Sequence, residues 1–382
     1  MTDHKTWPAS SRKELLRATF SAGNEGSRAF ETWKSQIDMA DHPDFGSFRL
    51  LPILFRQLRT NGVDDPIMMK LKGIVRQNWY KNQRFFYHIE PLLQALHEAG
   101  LECLLLYGAA FASNYNRDYV LGTEMNLSIL VSLEQVRPAI EKLQDLGWQP
   151  ENQLWEPLLE PFLAANWMQT FQDATGRKIN LNWHLLPECR TVEAGNDFWD
   201  KAITTTIHDV PVRVLNPADQ LLHCCVADHS SNELSNFLRA IDIMLIIKAT
   251  PDLDWDRLIS QAEKYHLVVP LLTVLGNIQD TLKDPLPPVV WLRLRSLPIS
   301  WQERLEYRLR TSHPILWRRF WQQWFNYLRH TEGVSLAQGL LGFPQYLQHF
   351  WRLPALRQVP RQTIAILRQH LHRRFSLFRR VV

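Results

Sequence analysis

Cys225 and His229 stand four residues apart, a spacing that sets two side chains on one helical face, with His223, Cys224 and Asp228 close by. Thiolates and imidazoles bind zinc, but a zinc site takes about four ligands with supporting hydrogen bonds. No Cys-x-x-Cys pair or matching distant pair completes the set, so buried thiols and a packed imidazole are the expected outcome, with no metal. No Gly-x-Ser-x-Gly elbow, Walker loop or dinucleotide fingerprint is present. The Gly333–Gly342 stretch has glycines but no Lys-Ser/Thr ending for a phosphate loop. Asp242 and Asp254 fall on predicted helices, where solvated faces or caps are expected.

The other chemically pointed feature is a charge skew. Residues 286–382 carry sixteen Arg, no Lys and three Glu, a net +13 within a chain of net +4. The preceding 285 residues are therefore at −9. Trp317, Phe320, Trp321, Trp324 and Leu328 recur at helical spacing among Arg318, Arg319 and Arg329. The last stretch repeats the pattern with Ile364, Leu367, Leu371, Phe375 and Phe378, interleaved by Arg368, Arg373, Arg374, Arg379 and Arg380. Those five arginines are the candidate partner-binding residues. Packing within the chain or docking on a protein ranks first, an anionic membrane surface second and nucleic acid last, since charge alone names no partner.

The 382 residues are 45% apolar and 21% charged, with fifteen Trp, which excludes collagen-like, coiled-coil and wholly disordered chains. Four scattered cysteines exclude a disulfide scaffold and suggest a reduced, cytoplasmic setting. No signal peptide or apolar run of membrane-spanning length is found, so attachment to a membrane surface is the most that is expected.

Four regions are expected: a helical N-terminal region (1–100), a core (101–215), a helical region (216–284) and an Arg- and Trp-rich helical region (285–382). In the first, Ser11 and Glu14 suggest a capping box, and Gly100 ends the last helix. In the core, Leu104–Leu106 and Leu127–Val131 read as buried strands. Ser132 and Gln135 suggest a second capping box for a helix that stops at Gly147. Trp167–Phe171 and Lys178–Leu185 read as strands joined by a turn over Asp173–Gly176, and Val210–Val214 as a further strand. Asn216 and Pro217 suit the N-cap and first position of the next helix. Further helices are expected over 233–249, 254–265 and 267–282.

This strand–Gly–helix–strand–helix order resembles the core of the bacterial uncharacterised nucleotidyltransferases of the DNA-polymerase-beta type. Leu105-Leu106-Tyr107-Gly108-Ala109-Ala110-Phe111 resembles that family's L-L-K-G-x-A-L stretch. Gly122-Thr123-Glu124-Met125-Asn126-Leu127-Ser128-Ile129-Leu130-Val131 resembles its R-x-x-x-D-I-D-L-L-V, and Leu146-Gly147-Trp148 its closing L-G-W. Leu71–Arg76, Trp79–Asn82 and Leu215–His223 extend the likeness outward. The resemblance implies an α+β fold: a small mixed sheet of nucleotidyltransferase type flanked by helical N- and C-terminal regions.

The same resemblance sets Asn126 and Ser128 where the family holds two metal-binding carboxylates, and Asn180, in Ile179–Trp183, where it holds a third. Tyr107 replaces the family's Lys and Gly122 its Arg. Alternate strand residues share one face, so two such acids would hold Mg²⁺ against nucleotide phosphates. Neutral oxygens bind a hard dication far less well. Tyr107, Gly108 and Ala109 are the candidate nucleotide-binding residues, because a glycine admits a close phosphate and the helix that follows offers N–H groups. Tight strand–helix packing is the alternative reason for Gly108.

The expected function is a catalytically degenerate nucleotidyltransferase-like protein: a binding, regulatory or scaffold partner in a bacterial biosynthetic pathway. It needs no cofactor, and takes a protein or a nucleotide as partner. One alternative is an active transferase using Mg²⁺ and a nucleoside triphosphate. The other is a membrane-surface adaptor acting through the C-terminus.

Overall fold

The computed structural model describes residues 10–21, 23–37, 45–114, 127–152, 159–190, 192–226, 233–283, 285–311, 315–331 and 336–366. Among them, α1 (Ser10–Phe20), α2 (Gly23–Ser35), α3 (Phe45–Thr60) and α4 (Ile67–Glu98) open the chain. α4 buries Ile67, Leu71, Ile74, Asn78, Phe85, Ile89, Leu92 and Leu96, one apolar-facing stripe at helical spacing. It runs unbroken through Pro91, and Gly100 then turns the chain with φ +74°.

The middle of the chain alternates strands and helices. In order these are β1 (Leu104–Leu106), α5 (Tyr107–Asn114), β2 (Leu127–Leu130), α6 (Val136–Asp145), β3 (Gln149–Pro150) and α7 (Leu159–Ala165). Then come β4 (Met168–Gln172), β5 (Lys178–Asn182), α8 (Val192–Trp199), β6 (Ile203–Ile207) and β7 (Val210–Val214). The seven strands form one mixed sheet in the order β3-β4-β5-β2-β1-β7-β6. β2 runs parallel to β5 and β1 parallel to β7, while the other neighbouring pairs are antiparallel. The fold is thus mixed α and β, with helices before and after the sheet, as the sequence suggests.

α9 (Pro217–Val226), α10 (Glu233–Ala249), α11 (Trp255–Lys264) and α12 (Val268–Leu282) follow. The Asn216 side chain accepts from the Asp219 N–H (3.0 Å) and Asp254 from the Arg257 N–H (2.9 Å), so both act as N-caps. One hydrophobic core links α1 through α12 and the sheet as far as Leu294. The chain continues as α13 (Pro288–Ser296), α14 (Trp301–Thr311), α15 (Ile315–His330) and α16 (Leu336–Phe350). A second, smaller core gathers Tyr327, Phe343, Tyr346, Leu347 and Val359 against Ala165 of α7.

Three local readings are corrected. Ser11 lies inside α1, and Glu14 accepts from Arg17 (2.9 Å) instead of closing a capping box. Ser132 makes no capping bond. Gln135 instead spans to the Gly100 carbonyl and the Glu102 N–H (both 3.2 Å), tying the start of α6 to the end of α4. Asp242 is not on a solvated face: it is half-buried against Arg49 (3.1 Å), and desolvation pushes its carboxyl up to about 6.

Candidate functional site

The sheet has two unlike faces at its centre. Leu127, Ile129, Phe171, Ile179 and Leu181 point into the main core. Register places Leu106, Ser128, Asn180 and Thr170 side by side on the opposite face, one from each of β1, β2, β5 and β4. Three of these are joined. Thr170 Oγ1 donates to Asn180 Oδ1 (2.9 Å), and Asn180 Nδ2 donates to Ser128 Oγ (3.2 Å). Ser128 is buried, while Asn180 and Thr170 are half-buried. Asn182 braces the row from beneath, donating to the carbonyls of Ile129 (3.0 Å) and Asn180 (3.1 Å).

Two sequence-predicted site residues, Ser128 and Asn180, are therefore in direct contact across fifty-two positions of sequence. Asn126 lies outside the described residues, as does Gly122. Thr170 was not foreseen. Its only sequence signal is its place in a strand that pairs antiparallel with β5.

Tyr107 closes β1 and opens α5. Its backbone, not that of Gly108, is left-handed, at φ +53°. A side chain held there marks a tight turn that the surroundings enforce. Tyr107 is half exposed, and its ring lies 4.8 Å from that of His223, tilted by 50°. Ala109 is buried, which suits packing of α5 on the sheet. His223 is fully buried, its Nε2 has no hydrogen-bond partner, and burial holds the imidazole down at about 4. It is thus a neutral ring beneath Tyr107. Its neighbour Cys225 is also buried, which pushes the thiol up to about 12 and away from the thiolate a metal would need. His229 and Asp228 lie outside the described residues.

None of the seven strands contains an Asp or Glu. The row offers two hydroxyls and an amide, already bonded to one another, where Mg²⁺ calls for anionic oxygens. The described part of the row does not fit a Mg²⁺ ion. Among the described residues, no group of three His, Cys, Asp or Glu is placed to hold a metal.

A second polar cluster lies beneath the C-terminal helices. Arg310, 2% exposed, bonds to Glu188 on the segment after β5, to Glu306 (2.6 Å) and to Asn326 (2.8 Å). Arg329 grips Glu306 (2.9 Å) and donates to the Tyr265 and His266 carbonyls (2.7 and 3.1 Å) at the end of α11. Arg190 donates to the Ala165 carbonyl at the end of α7 (2.8 Å). Arg352 lies over the Phe162 ring, 3.9 Å from its centroid, and burial lowers its guanidinium to about 10. Several C-terminal arginines thus serve packing within the chain. The predicted partner-binding residues Arg368, Arg373, Arg374, Arg379 and Arg380 lie outside the described residues.

A mixed sheet with a strand–turn–helix entry and a polar row across its central strands defines a nucleotidyltransferase-like core. The chain matches the model of the uncharacterised nucleotidyltransferase family over residues 47–283, more than half its length, and it belongs to that family. The match takes in the whole sheet and ends with α12, before α13 to α16 begin. No curated protein matches the sequence. No helix among the described residues is long and apolar enough to cross a membrane.

Proposed function

We propose that this protein has given up metal-dependent nucleotidyl transfer and acts as a binding, regulatory or scaffold partner. The observation that carries this reading is the Thr170–Asn180–Ser128 row. Two-metal chemistry needs carboxylates that face a ligand with lone pairs available. Here two of the three matching positions, Ser128 and Asn180, hold neutral groups bonded to each other, as polar groups are in a structural network. Tyr107, where the family has Lys, adds an aromatic face in place of a cation that would meet a phosphate.

Calorimetric titration of the full chain with each nucleoside triphosphate, with and without Mg²⁺, tests the reading. The expected result is no heat that depends on Mg²⁺. Metal-independent binding would make the protein a nucleotide sensor. Tight Mg²⁺-dependent binding would overturn the proposal and restore an active transferase.

A further inference from the structure

The described residues between 285 and 366 include two carboxylates, Glu303 and Glu306, and both are buried. Glu303 accepts from the Val269 N–H (2.7 Å), and Glu306 is held by Arg310 and Arg329. The charges that this stretch shows to solvent are arginines. On α13 and α14 they are Arg293, Arg295, Arg304 and Arg308, of which Arg293 meets Asp256 of α11. Large apolar side chains stand out between them: Val289 is 77% exposed, Leu292 68%, Trp301 69% and Leu305 39%. Val289, Leu292 and Arg293 fall on one helical face, as do Trp301, Leu305 and Arg308. Both helices rest on α12, so both turn these faces away from the same support.

We propose that the outward faces of α13 and α14 form a docking surface for an anionic lipid bilayer. The described acids of the segment, Glu303 and Glu306, are folded inward with Arg310 and Arg329, while Arg295, Arg304 and Arg308 face outward, which leaves a net positive field even with Asp256 beside Arg293. Phosphate-bearing lipid headgroups complement that field over its whole extent. Trp301 has the amphipathic ring that settles at headgroup depth, and Val289, Leu292 and Leu305 can enter the acyl boundary. A protein partner would need a separate pocket for each protruding side chain and an acid for each arginine. A bilayer needs only negative charge and a fluid interior. This surface lies beyond the span of the family match and does not depend on the chemistry of the sheet.

Co-sedimentation of the full chain with phosphatidylcholine vesicles, and with vesicles containing a third phosphatidylglycerol, tests the proposal. Binding is expected only to the anionic vesicles, weakening as salt rises and with a blue shift in Trp fluorescence. Each of Arg295→Gln, Arg304→Gln and Arg308→Gln should lower partitioning about fivefold. The pair Trp301→Ala and Leu305→Ala should lower it about tenfold. All these positions are exposed, so circular dichroism and thermal melts should be unchanged. No binding to anionic vesicles at low salt overturns the proposal. So does binding that survives these substitutions but is lost when residues 367–382 are removed. Capture by soluble polyglutamate without vesicle binding overturns it too, in favour of an acidic protein.

Discussion

The polar row on the sheet and the polar cluster under the C-terminal helices both cross between distant elements, but they are made of different materials. Thr170, Asn180 and Ser128 carry no formal charge. Glu188, Arg310, Glu306 and Arg329 are all ionisable, and Arg310 and Glu188 are almost fully buried. In a nucleotidyltransferase the charge would be expected on the sheet. Here it lies where helices that follow the family-matched span are fastened to that span through Glu188. A neutral network holds neighbouring strands together without drawing in ions. A buried ionic cluster fixes one docking geometry, because any shift would strand a charge away from water.

The difference predicts unequal costs of damage. Glu188→Ala would leave Arg310 buried without one of its carboxylates, and should lower unfolding free energy by about 3–5 kcal/mol in urea titrations. Glu188→Gln, which keeps the shape, should cost less. Equal effects of the two substitutions would mean that charge does not matter there.

Acid should separate the two regions. Burial, with help from Arg190 and His330, lowers His184 to about 3, and burial lowers His223 to about 4. The unfolded chain therefore takes up protons that the folded chain refuses, and stability falls as pH drops from about 6.5 towards 4. Each imidazole should cost about 2 kcal/mol at pH 5. Asp242 opposes this. Raised to about 6, its carboxyl is protonated in the fold before it is in the unfolded chain, which returns about 1 kcal/mol as pH falls from 7 to 5. The net loss from pH 7 to 5 should be about 2–3 kcal/mol. His184→Phe, near the ionic cluster, and His223→Phe, beside Tyr107, should each remove about 2 kcal/mol of that change and so flatten most of the urea-midpoint profile.

The row itself should be worth less. Asn180→Ala removes both side-chain bonds and should cost about 1–2 kcal/mol, and Thr170→Val about 1 kcal/mol. A double-mutant cycle between them should give a coupling of about 1 kcal/mol. Additivity would mean that the two groups act independently. The smallest expected effect is none: saturating Mg²⁺ should leave the melting temperature of the natural chain unchanged. The variant carrying Asn126→Asp, Ser128→Asp and Asn180→Asp should be stabilised by Mg²⁺, since the acids would restore an anionic ligand set. Stabilisation of the natural chain would place the charge that binds Mg²⁺ somewhere other than the row.

Much of the sheet was readable residue by residue. The turn between β4 and β5 follows from Asp173, whose carboxylate accepts from the Thr175 and Arg177 N–H groups (2.9 Å each). Gly100 and Gly147 take the positive φ that ends a helix, and Asn216 caps the next one. β6 escaped notice because Ile203–Ile207 is a largely exposed edge strand whose three threonines give no apolar alternation. β3 is two residues long, and α7 and α8 are too short for a helical period to declare itself. In both expected capping boxes the closing residue, Glu14 or Gln135, found other partners in the fold.

The sequence by itself determined the central strands and the helices next to them, the nucleotidyltransferase likeness, and the neutral character of Ser128 and Asn180, because those depend on residue type and short spacing. It also set the charge imbalance of the last hundred residues. Only the tertiary structure decided that Thr170 joins the row, that Tyr107 covers a neutral His223, and that Arg310 and Arg329 turn inward while Arg304 and Arg308 face out. The side chain of an arginine reads the same in a sequence whether it meets water or a carboxylate. Which of the two it meets is settled by burial, where an unpaired charge costs several kcal/mol and a paired one is tolerated.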